Sequence, residues 1–265
     1  RRQMTPTRPL TPTTPLMPLT PLPTCLRDTV TAEIIKMTTA PSARIMLAVA
    51  LTANLALAAI DASPVGFYTH PGQREPASIS SFGAVMLAPV YAFLVVAAYA
   101  AASEYRSGQL RITLVAMPNR RSLLAGKIAA MLIVATTGVV IALVPARLII
   151  GISDHLGAGA ILLDIARWAA AYLFMSTIAF GLAGLLRSSA AALGILITTP
   201  VVVGTGILQW PRVLRFLPDQ AALSLLGTPG YSVTALPAAT AALTLTTWAA
   251  VCLSAYATAL VCRDA

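Results

Sequence analysis

Glu104 is the one acid in a 24-residue stretch, EYRSGQLRITLVAMPNRRSLLAGK, that carries five basic residues, Arg106, Arg111, Arg120, Arg121 and Lys127. A carboxylate set among guanidinium and ammonium groups forms charge-assisted hydrogen bonds, so the chemistry on offer is ion pairing. Reaction chemistry is not in evidence. No Gly-x-x-x-x-Gly-Lys-[Ser/Thr] phosphate loop occurs, so nucleotide hydrolysis by this chain is not expected. The two histidines, His70 and His155, lie far apart and outside any His-Glu-x-x-His array, which argues against a zinc site.

The elements that hold this stretch are apolar. With 57% apolar residues, 10% charged residues and a mean hydropathy of +0.80, the chain is much less charged than a soluble domain. A membrane-crossing helix needs roughly 20 mostly apolar residues, and six runs qualify. They are Ala43–Ile60, Phe82–Ala102, Ile128–Ile150, Ile165–Leu186, Ala190–Leu208 and Leu236–Val261. Their length and lack of polar alternation exclude barrel strands. The expected fold is an all-α membrane protein with six transmembrane helices, spanning residues 25–265 as one domain. Ahead of it, Arg1–Thr24 repeats Thr-Pro and Pro-Leu units and reads as a disordered or polyproline-like tail. It has no continuous apolar run of the signal-peptide kind.

Basic residues set the orientation. With both termini on the cytoplasmic side of a cell membrane, 13 of the 18 Lys and Arg lie inside, with four of the nine acids; the other five bases and five acids lie outside. The inner face thus carries the whole +9 and the outer face none. This distribution points to contact with anionic lipid rather than nucleic acid. Cys25, Cys252 and Cys262 then fall inside or within a span, so a disulfide framework is not expected.

Within this frame, Val30, Ile34 and Met37 recur at helical spacing beside Glu33 and Lys36, which suits a short amphipathic helix along the inner surface. Ser107-Gly108 can end the second span, Gln109–Ala116 can form a short helix, and Pro118-Asn119 marks a turn with Asn119 able to cap the next helix. On the outer side, Gln209–Gly230 mixes Trp210, Val213, Leu214 and Phe216 with Arg212 and Arg215, the pattern of re-entrant or interfacial helices. Pro89 and Pro200 provide kink points in the second and fifth spans. Arg44, Arg147 and Arg167 fall near span ends, from which their side chains can reach the headgroups.

The segment Glu-Tyr-Arg-x-Gly-x-x-Arg-x-Thr-Leu, followed by x-Pro-x-Arg-Arg and Leu-x-x-Lys, resembles the cytoplasmic coupling segment of type-2 ABC transporter permeases. The Ala32-Glu33-x-x-Lys36 stretch resembles the interface helix of the same family, and Gln209–Gly230 its last outer loop. The resemblance implies the permease subunit of an exporter of a drug, peptide or lipid-like compound. Its partners would be a cytoplasmic ABC ATPase that binds ATP and Mg, a second permease copy or paralogue, membrane lipid and a small amphipathic substrate; no cofactor is implied for this chain itself. It further implies coupling roles for Glu104, Arg106, Gly108, Arg111, Pro118, Arg120 and Arg121, with Glu104 pairing to bases of the interface helix or the ATPase, and interface-helix roles for Glu33 and Lys36. Tyr91, Tyr99 and Thr199 become candidates for lining the pathway.

Two other classes fit the composition. A non-transporting anchor or immunity protein needs no further motif. A polytopic transferase would need an Asp-rich diphosphate site, and none of Asp28, Asp61, Asp154, Asp164 or Asp264 has a second Asp within four residues.

Overall fold

The computed structural model describes residues 26–68, 75–107, 119–207, 210–230 and 234–262. Eleven α-helices occur among them, with one 3-10 turn at Ile79–Ser81 and a single antiparallel bridge between Phe67 and Ala77. In chain order the helices are α1 (Leu26–Thr39), α2 (Pro41–Asp61), α3 (Gly83–Leu87), α4 (Pro89–Ser107), α5 (Arg120–Ala142), α6 (Val144–Ser153), α7 (Ala158–Leu186), α8 (Ser189–Gly204), α9 (Pro211–Leu214), α10 (Pro218–Leu225) and α11 (Ala238–Cys262).

Five segments are long and apolar enough to cross a membrane: α2, α3 with α4, α5 with α6, α7 and α11. The chain is in this sense a multi-pass membrane protein. The run Ala190–Leu208 forms α8, a helix of 16 residues, about 24 Å at 1.5 Å per residue. That falls short of the roughly 30 Å hydrocarbon thickness. Its early stop has a local cause, since Pro200 lies inside the helix and Gly206 follows with φ 70°.

Proline also divides two of the long spans. Pro89 is the first residue of α4 and separates it from α3, as its missing N–H requires. Pro145 does the same at the start of α6, where Leu143 alone joins two helices in place of the continuous run Ile128–Ile150. Asn119 caps α5 as its type suggests, its Oδ1 accepting from the N–H groups of Arg121 and Ser122. Because α5 begins at Arg120, Lys127 lies two turns inside a helix rather than at its edge.

The core centres on α7, which packs between α4 and α11 and buries Trp168, Tyr172, Met175 and Phe180. Glycine permits the α7–α11 contact. A Cβ on Gly181 would lie 2.7 Å from the Cys252 backbone. Asn54 and Tyr172 satisfy one another inside the bundle: Asn54 Nδ2 donates to Ala50 O at 2.8 Å, and its amide exchanges hydrogen bonds with the Tyr172 hydroxyl.

Arg147 corrects one expectation. It does not reach outward from a span end: it is buried, its Nε donates to Asp164 Oδ2 at 2.7 Å, and its guanidinium lies 4.6 Å from the Trp168 ring centroid. Pairing with an acid on α7 removes the need for headgroup contact.

Candidate functional site

At the end of the bundle where α1 lies, four charged side chains from three helices form one closed cluster. Lys127 of α5 bonds to Glu33 of α1 at 3.0 Å and to Glu104 of α4 at 2.9 Å. Lys36 of α1 bonds to Glu33 at 3.4 Å and also to Glu104. Two acids and two bases alternate, so the cluster is neutral and each carboxylate has two cationic partners. Three of the four are nearly inaccessible, with residue exposures of 7% for Glu33, 3% for Glu104 and 2% for Lys127. Buried charges of this kind persist only when paired and hydrogen-bonded.

Helical periodicity places these groups. Thr29, Glu33 and Met37 recur every four residues and form the buried centre of α1, with Val30 and Ile34 packed beside them. The packed face is therefore rotated from a purely apolar Val30–Ile34–Met37 stripe toward the acid. Close approach of α1 to α5 is allowed by Gly126, where a Cβ would lie 2.5 Å from Thr29 Cγ2. At the corner after α1, Arg44 Nε donates to Thr38 O at 2.6 Å and ties α2 to the end of that helix.

The other sequence candidates divide. Arg120 donates to the carbonyls of Leu260 and Val261 at 3.1 and 3.2 Å, so a base at the start of α5 binds the C-terminal carbonyls of α11, where the helix dipole favours positive charge. Arg121 is exposed. Arg106 belongs to the last turn of α4, while Gly108, Arg111 and Pro118 lie outside the described residues, as does the expected short helix Gln109–Ala116. Next to Glu104, the Tyr105 ring lies 5.4 Å from the guanidinium of Arg187, a residue held at φ 55° to end α7.

At the opposite end, the Gln209–Gly230 region contains two short helices, α9 and α10. The latter is buried along its whole length. Trp248 of α11 donates from Nε1 to Phe216 O at 2.8 Å and holds the segment in place. Thr199 lines an open apolar groove of about 730 Å³ between α8 and α9, shared with Trp210 and Val213. Tyr91 lines a different cavity, of about 150 Å³, together with Asp219 of α10. Tyr99 is half-buried about 12 Å further along α4 and lines neither.

Sequence reasoning overlooked Lys127 as the partner of both acids. The signal was its position within an apolar helical run, where an unpaired ammonium is costly. It also overlooked Asp219 and Gln220, whose burial depends on how α10 folds back against α11. The chain matches no known protein-family model and no curated protein.

Proposed function

We propose that this chain is the permease subunit of an ATP-binding-cassette exporter, coupled through residues 104–127 to a separate cytoplasmic ATPase. The observation that carries the reading is the buried cluster of Glu33, Lys36, Glu104 and Lys127. In sequence, residues 108–118 connect Ser107 at the end of α4 to Asn119 at the start of α5, and the cluster joins both flanking helices to α1. Force applied to that segment would be delivered to three helices together, because a buried ionic node resists separation of its members. That is the mechanical requirement for converting closure of a partner ATPase into movement of spans.

In this reading α1 lies at the cytoplasmic surface, the exposed bases contact the ATPase and anionic lipid, and a second copy or paralogue completes the pathway. The substrate is a small amphipathic compound leaving through the α8–α10 end. Co-purification of the full chain with a candidate ATPase tests it. The wild-type chain should form a stable complex, and Glu104→Ala or Arg111→Ala should return the ATPase rate toward that of the isolated ATPase. A chain that purifies alone and leaves the ATPase unaffected would instead make it a membrane anchor.

A further inference from the structure

Asp219 is the second residue of α10, 2% exposed, and faces the cavity of about 150 Å³ that Tyr91 also lines. Its Oδ2 accepts a hydrogen bond from Gln220 Nε2 at 2.9 Å. Its Oδ1, also buried, has no hydrogen-bond partner. No Lys or Arg among the described residues forms a salt bridge with it. Of the polar groups around it, Thr234 donates to Gln220 Oε1 at 3.2 Å and Ser224 Oγ accepts from Leu236 N at 3.3 Å, while Tyr91 lines the same cavity.

A buried carboxylate without a cationic partner is costly, and the cost falls when a cation or strong donor enters. Burial accordingly raises the carboxyl's affinity for its proton, an effect opposed by the Gln220 side chain and by the backbone N–H groups at the start of α10. The remaining walls are apolar, with Leu87, Pro200, Val203 and Leu223 around the acid. A metal ion is a poor fit, because no group of three or more His, Cys, Asp or Glu occurs among the described residues. The volume matches a group of about benzene size. Together these features specify one charge acceptor at the edge of a compact apolar space.

We infer that this cavity is a binding site for a compact organic ammonium group, with Asp219 Oδ1 accepting from its N–H and the apolar walls holding the attached carbon skeleton. Binding follows from the cavity itself; that the bound amine is cargo rests on the exporter reading, and it narrows the substrate class to lipophilic amines.

The test uses the full chain in nanodiscs without any ATPase, so failure here is separable from failure of coupling. Titration with n-butylamine at neutral pH, where it is protonated, is followed by calorimetry and saturation-transfer NMR, with n-butanol and butyrate as neutral and anionic counterparts. Saturable binding of the ammonium alone is expected, weakened about tenfold or more by Asp219→Asn. Leu223→Trp, which fills the cavity while keeping the acid, should abolish it. Absence of saturable butylammonium binding, equal binding of butanol or butyrate, or retention of binding by either folded variant would overturn the proposal.

Discussion

Lys127 has 1% of its side chain exposed and bonds to two carboxylates, whereas Lys36, which touches the same two acids, is 30% exposed. The two ammonium groups are therefore not equivalent. Removing Lys127 leaves Glu33 and Glu104 facing each other with only a partly solvated base between them, and loss of one member of a buried ion pair costs about 3–5 kcal/mol. Lys127→Ala should lower thermal stability in detergent far more than Lys36→Ala. The double variant Glu104→Ala, Lys127→Ala should be less destabilised than the sum of its singles, by about 0.5–3 kcal/mol in a double-mutant cycle. Strict additivity would show that the two residues do not act as a unit.

Among the elements, the α7–α11 pair depends on backbone proximity. Gly181 meets the Cys252 backbone and Gly184 meets the Tyr256 ring, where an added Cβ would lie 2.5 Å away. A ring can rotate or shift slightly, but a helix backbone cannot move without its neighbours. Gly181→Ala is thus expected to separate α7 from α11 and to cost about 1–3 kcal/mol, the usual range for overpacking. Thermal unfolding of the detergent-solubilised variant checks this. An unchanged midpoint would mean that the two helices can re-pack at no cost. Small-residue packing is a general solution for helices in lipid, where apolar side chains gain little by leaving the solvent.

At the scale of the molecule, the two ends of the bundle differ in kind. One end holds a neutral, closed ionic cluster; the other holds buried α10 and the exposed Trp210. Between them, exposed Ile133, Val140, Leu163 and Val251 give the flanks an apolar surface suited to lipid. The basic excess predicts that the α1 end faces the cytoplasm. In a background with its native cysteines replaced, Thr39→Cys should react with an impermeant maleimide only after permeabilisation, and Ser63→Cys without it. Applied to Ser188→Cys and Trp210→Cys, the same experiment decides whether α8 crosses. Labelling of the two from opposite sides would show that α8 crosses, and labelling of both from one side would show that it does not.

The sequence alone was enough for the all-helical architecture, the short helix before the first span and the Asn119 cap, because these depend on local properties. Long apolar runs have to hydrogen-bond their own backbone in lipid, and an Asn before a helix can satisfy its free N–H groups. Glu33, Lys36 and Glu104 stood out as charges beside apolar stretches. Their joining through Lys127, the turning of Arg147 onto Asp164 and Trp168, and the burial of Asp219 were decided by the tertiary structure. Each depends on residues from different helices meeting after the bundle packs, and hydropathy along one segment carries no information about which helix will be its neighbour. Local polarity established where charges had to be compensated, and only packing determined which partners compensate them.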